Sequence, residues 1–305
     1  MGQTVRETIK NITSIHLKKE NSVCLGQCLT AVGWVGGTLP ELYEKDGMIE
    51  IPTSDVANGG FVVGAGLTGI RPIYVVRYQG FQWYNAPMII NYASKSKEIW
   101  GVPCPILVRS IAMEGGIGPV AGSSHHSIFD RMPGTKILAP MTPKEYQFSY
   151  DNFMLNDDVY YISEHRMSYD NMDETKDVIY DDSDIVLFPI SITRFEAEKA
   201  RKILTNRGYK ISIIHQLWIK PFNEKKEWIE CLNNSKFGGL VLDDDYVEGV
   251  ASSIAHRLMI KSTSKVHTLG LEHKTAGFHP SVDNLPPNSE IIVRNIEKIM
   301  DKKIS

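Results

Sequence analysis

The strongest constraint in this sequence is a rhythm. Short apolar runs rich in β-branched residues recur at 22–25, 73–76, 106–109, 136–139 and 159–162, then at 185–189, 210–215, 239–242 and 266–269. Between the later runs lie segments 193–206, 223–233 and 247–261, each with one apolar and one charged face. Strands alternating with amphipathic helices predict parallel sheet covered by helices, the α/β class. A length of 305 residues allows one large domain or two of medium size. The rhythm breaks at 170–184, where seven of fifteen residues are Asp or Glu and no apolar face repeats. Two domains are therefore expected, 1–170 and 185–305, each a mostly parallel sheet covered by helices, joined by an acidic linker at 171–184.

Charge narrows the function classes. A formal charge of −3 and a pI near 6.3 offer no basic face for a phosphate backbone, which argues against nucleic acid as the main partner. No apolar run approaches the ~20 residues of a membrane helix. Residues 1–22 lack a signal-peptide core, and Glu7 interrupts transit-peptide character, so the expected localisation is cytoplasmic. Cys24, Cys28, Cys104 and Cys231 close no zinc-site spacing and read as reduced, mostly buried thiols.

Residues 59–69, GGFVVGAGLTG, hold five glycines among apolar residues. In a helix each glycine gives up roughly 1 kcal/mol against alanine, so close packing must offset it. Gly60 and Gly64, with Ala65 and Gly69 beside them, form a small-residue face suited to a partner element in another subunit. The alternative, a phosphate-cradling loop, lacks the Gly-x-Gly-x-x-Gly order and a Walker lysine.

Residues 50–95, EIPTSDVANGGFVVGAGLTGIRPIYVVRYQGFQWYNAPMIINYASK, resemble the transketolase-like thiamine diphosphate enzymes. The similar members are beta subunits of pyruvate dehydrogenase-type decarboxylating components and C-terminal subunits of split transketolases. Their pattern is an acid-terminated D-T-P-I-T-E, a small-residue helix, G-x-R-P, and an aromatic-rich strand and helix ending in A-A-K. SSHHSIFDRMPGTKILAP (123–140) is similar to the split-transketolase stretch with two histidines, and IHQLWIKPF resembles the C-terminal domain signature. The resemblance implies a pyrimidine-binding domain followed by a transketolase C-terminal-like domain. The Gly-Asp-Gly…Asn motif that holds diphosphate and magnesium in the family is absent from this chain. The resemblance thus implies half an enzyme, with thiamine diphosphate and Mg2+ held mainly by a partner subunit in a heterotetramer or other heteromer.

The resemblance also implies site residues. Asp55 stands where the family has the glutamate that pairs with the aminopyrimidine ring and assists proton movement. One methylene less shortens its reach by about 1.3 Å, a distance that can matter ~100-fold in rate. The other reading of Asp55 is a helix N-cap. Gln27 falls where the family carries an early acid, and keeps hydrogen bonding without charge. Phe81 aligns with an aromatic that packs on the pyrimidine, and Trp83 and Tyr84 line that pocket or a subunit interface. His125 aligns with a cofactor-proximal histidine suited to proton handling. Its neighbour His126 should point the other way in extended chain and, with Arg166, is a substrate-binding candidate. No metal ligand is expected in this chain. The run Asp243–Asp245 reads as solvated strand-end acids or as partners for another chain.

The expected function is a subunit of a heteromeric thiamine diphosphate-dependent transferase. It would move a two-carbon aldehyde or ketol unit from a 2-oxo acid or ketose to an acceptor. The alternatives are the beta subunit of a 2-oxo-acid dehydrogenase complex and, given Asp55 and Gln27 in place of acids, a catalytically silent scaffold.

Overall fold

The computed structural model describes residues 2–113, 122–277 and 281–304. The chain divides into two compact units, one ending at Glu174 and the other starting at Thr175.

The first unit begins with α1 (Val5–His16), whose start is fixed by a reciprocal capping pair, Thr4 and Glu7. There follow β1 (Ser22–Gly26), the short turn α2 (Gly33–Gly37), β2 (Met48–Glu50), α3 (Asp55–Leu67) and β3 (Arg71–Val76). Next come α4 (Gln82–Met88), α5 (Ser94–Trp100), β4 (Ile106–Ala112), α6 (Ser127–Asp130), β5 (Thr135–Leu138), α7 (Pro143–Leu155) and β6 (Val159–His165). These strands lie in the order β2-β1-β3-β4-β6-β5, and every pairing among them is parallel. All five apolar runs expected here are strands. β2, three residues long, carries no pattern from which to read it.

The glycine-rich run is helical through Leu67. Its close approaches are at Gly59 and Gly66: an added Cβ would lie 2.7 Å from the Asn85 carbonyl oxygen and 2.7 Å from Cys104 Sγ, respectively. These glycines let α3 settle onto α4 and the start of β4 within the chain. Gly64 meets no atom within 4 Å. It stands on an outer face with Phe61, which is 58% exposed.

The second unit holds β7 (Ile185–Pro189), α8 (Thr193–Asn206), β8 (Ile211–Ile213), β9 (Trp218–Lys220), α9 (Lys226–Asn234), β10 (Gly239–Tyr246), α10 (Val250–Lys261), β11 (Val266–Leu271) and α11 (Ser289–Ile304). A parallel sheet runs β11-β10-β7-β8. Ala197, Ala200 and Leu204 of α8 and Ile292 and Ile296 of α11 pack on its Ile185, Leu187, Leu240 and Leu242. Residues at the start of this unit run along β8: Val178 pairs antiparallel with Ile213, and the His215 amide donates to Asp177.

One expectation is corrected here. Asp243, Asp244 and Asp245 are not solvated strand-end acids, because β10 continues to Tyr246 and buries all three. Ser191 Oγ donates to Asp244 at 2.9 Å.

Candidate functional site

In the strand order β2-β1-β3, chain direction across the sheet reverses at β1. Open parallel sheets bind ligands at such a switch point, beyond the carboxyl ends of the strands. Gln27 follows β1, Asp55 opens the helix after β2, and Phe81 lies just past β3. Adjacent strand ends thus bring three residues distant in sequence round one cavity of about 100 Å³, with Cys28, Thr53, Tyr74 and Arg77 also in its wall. That volume is on the order of the ~150 Å³ cavity known to admit a benzene ring.

Asp55 is the first residue of α3, and the Ser54 preceding it makes no side-chain cap. Asp55 is therefore the first helical residue and not the N-cap, which falls at Ser54. Gln27 Nε2 donates to Asp55 Oδ1 at 2.7 Å. Burial pushes the carboxyl above its ordinary value, opposed by hydrogen bonds from Gln27 and Asn85. A carboxyl held this way is oriented and partly desolvated, an arrangement suited to proton exchange with a base in the cavity. Phe81 is half-buried and meets Tyr78 with ring centroids 5.8 Å apart.

The two histidines occupy opposite environments. His126 is fully buried, with Nδ1 3.0 Å from Ser163 Oγ. His125 is half-buried, with Nε2 3.0 Å from Ser123 Oγ and its ring edge-on to Trp83 at 5.9 Å. Two buried glutamines clamp this segment. Gln79 Oε1 accepts from the His125 amide, and Gln82 Nε2 donates to the His125 carbonyl, each at 2.6 Å. Gln82 Oε1 in turn accepts from Ser110 Oγ at 3.1 Å and Tyr161 OH at 2.5 Å.

The model of the family described as "Transketolase, pyrimidine binding domain" matches residues 3–171, more than half of the chain. The chain belongs to this family. Its curated relatives include a pyruvate dehydrogenase E1 component subunit beta from Chaetosphaeridium globosum, 28% identical over 63% of this chain and 65% of that one. Another is the acetoin:2,6-dichlorophenolindophenol oxidoreductase subunit beta of Cupriavidus necator, 22% identical over 84% and 81%. Among solved structures, a split-gene transketolase, an inactive beta4 tetramer, superposes with a TM-score of 0.76 at 13% identity, covering 99% of both chains. A transketolase variant from Pichia stipitis gives 0.76 at 14% identity, over 99% of this chain and 46% of that one. At these identities the likeness is one of fold: transketolase-like α/β, with mostly parallel sheets covered by helices.

Within this transketolase-family chain, Gln27, Asp55 and Phe81 share a cavity, whereas His125, His126 and Arg166 do not line it. Arg166 lines a separate cleft of about 80 Å³ with Val32, Val35, Gly36 and Tyr169, and the two spaces have Arg77 in common. Trp83 and Tyr84 are 60% and 58% exposed and line neither space. Sequence reasoning missed Tyr74, Gln79 and Gln82. The glutamines carry a weak signal as polar residues in an aromatic-rich turn, and Tyr74 as the one hydroxyl in an apolar strand. Among the described residues, no helix is long and apolar enough to cross a membrane.

Proposed function

We propose that this chain is the pyrimidine-end subunit of a heteromeric thiamine diphosphate-dependent enzyme that moves a two-carbon unit from a 2-oxo acid or ketose to an acceptor. The observation that carries the reading is the Asp55 carboxyl, half-buried at the switch point, with one oxygen held by Gln27 and Phe81 in the same cavity wall. The donor set suits an aminopyrimidine: an oriented carboxyl for a ring nitrogen, an aromatic face, and room for one ring. When bound, thiamine diphosphate supplies a carbon nucleophile for a substrate carbonyl. Asp55 holds and moves a proton at the ring nitrogen, Gln27 fixes the carboxyl's orientation, and Phe81 packs against the ring. His125 handles protons nearer the substrate, while His126 and Arg166 contribute to substrate binding.

Magnesium and the diphosphate fall to a partner subunit, since no Gly-Asp-Gly motif is present. The outer face of α3 around Gly64 belongs to that assembly, and the cytoplasm remains the proposed compartment. The similarity to pyruvate dehydrogenase E1 beta subunits favours a second reading, a 2-oxo-acid dehydrogenase component that passes its acyl group to a lipoyl arm.

Calorimetry tests the first reading. The isolated chain should bind thiamine diphosphate weakly or not at all, and tightly with magnesium once a Gly-Asp-Gly subunit is co-expressed. Tight magnesium-dependent binding to the chain alone overturns the half-enzyme reading. On the assembled complex, a screen of pyruvate and ketose donors with and without a lipoyl acceptor separates the transferase from the dehydrogenase.

A further inference from the structure

Tyr74 is the one polar side chain in the run Ile73, Tyr74, Val75, Val76 at the centre of the sheet, in register with Leu25 of β1 and Val108 of β4. Parallel strands buried on both faces are normally continuous aliphatic runs, so a phenol there needs a reason. Its side chain is 1% exposed, and the residue lines the cavity that holds Asp55, Gln27 and Phe81. Buried tyrosine hydroxyls ordinarily find a hydrogen-bond partner. The hydroxyls of Tyr146 and Tyr150 also lack one among the described residues, but they are sealed in the core. Tyr74, too, makes no hydrogen bond with any described residue, yet it stands at a cavity.

We propose that Tyr74 is a ligand-contacting residue of this pocket, its hydroxyl hydrogen-bonding the heterocycle that packs beside Phe81. The inference rests on the reading of the pocket as an aminopyrimidine site. The pocket then presents an acceptor, Asp55, and a donor, Tyr74, to a ring that itself offers ring nitrogens and an amino group. Burial and the neighbouring Asp55 charge both push the Tyr74 phenol up, so it stays protonated and able to donate. Tyr74 compensates in part for the shorter Asp55: a second polar contact fixes the ring where one side chain reaches less far.

The test uses the full chain labelled with 13Cζ-tyrosine and titrated with 4-amino-5-hydroxymethyl-2-methylpyrimidine, the free heterocycle, which needs no diphosphate site. Tyr74→Phe identifies the Tyr74 signal among the 13 tyrosines and removes only the hydroxyl. In the wild type that signal should move on titration. Tyr74→Phe should weaken binding roughly three- to tenfold, the range for one neutral hydrogen bond, with an unchanged amide spectrum in the free state. Equal affinity in Tyr74→Phe with an unmoved Tyr74 signal overturns the role of Tyr74 and leaves the pocket reading standing. No binding to the wild type at saturating fragment overturns both.

Discussion

Arg109 of β4 and Glu164 of β6 meet on neighbouring strands with neither side chain exposed, whereas Asp55 and Gln27 meet at strand ends beside an open cavity. The first pair bonds inward, although the buried Arg109 Nη1 has no hydrogen-bond partner. Arg109 Nε and Nη2 reach the two Glu164 oxygens at 2.7 and 2.6 Å, Nη2 also reaches Thr38 Oγ1 at 2.5 Å, and Tyr169 OH donates to Glu164. Burial works against the Arg109 charge, but Glu164 outweighs it and holds the guanidinium well above its ordinary value. The second pair stands at a cavity: Gln27 and Asn85 hydrogen-bond the Asp55 carboxyl, and the Tyr74 hydroxyl in the same wall has no partner among the described residues. The same sheet thus carries one polar cluster whose bonding is turned inward and another that faces a cavity. Access separates the two: neither side chain of the first pair is exposed, whereas Asp55 and Tyr74 line a cavity.

The largest stability loss should come from the inward-bonded cluster. Glu164→Gln should leave Arg109 charged, buried and under-compensated, lowering stability by about 3–5 kcal/mol in denaturant titrations. A loss below 1 kcal/mol would show that Glu164 does not compensate the buried Arg109 charge.

A second structural group sharpens the comparison through pH. His16 is buried, with Nε2 2.9 Å from the Arg71 carbonyl oxygen, and burial lowers its pKa from 6.5 to about 4. Its neutral form is the folded one, so the unfolded chain binds the extra proton. Stability should be fully present above pH 6.5 and fall by roughly 3 kcal/mol as pH drops to 4. His16→Gln should flatten that window, and an unchanged slope would contradict the assignment.

The open cluster should behave in the reverse manner, losing function while keeping the fold. Asp55→Asn should slow thiazolium proton exchange and turnover of the assembled complex by about 100-fold. Its stability should not fall, because ionising the Asp55 carboxyl, raised by burial, opposes folding as pH climbs through its folded pKa. Quenched-flow NMR reads the exchange step without knowledge of the substrate. Exchange at the wild-type rate would leave Asp55 without a part in the chemistry and favour the silent scaffold. The smallest effect is expected at Phe81, where Phe81→Leu keeps an apolar surface but removes ring stacking. It should weaken heterocycle binding by about 0.5–1.5 kcal/mol, read in the same NMR titration.

The strand runs were legible in the sequence because each carries its pattern locally, in a few consecutive residues. The helical glycine run was legible too, from composition and spacing. Asp55, Gln27 and Phe81 could be named from motifs. Their meeting could not, since it depends on β1 pairing with β2 on one side and β3 on the other. The burial of Asp243–Asp245 was hidden for a related reason: an acidic triplet reads as solvent-facing until a neighbouring strand extends the ladder past it. Tyr74, Gln79 and Gln82 gave almost no signal, as a tyrosine in a strand and glutamines in a turn are ordinary locally. Periodicity is written along the chain, but which hydrogen-bonding groups remain unspent is decided by the elements that pack around them, and those arrive from distant parts of the sequence.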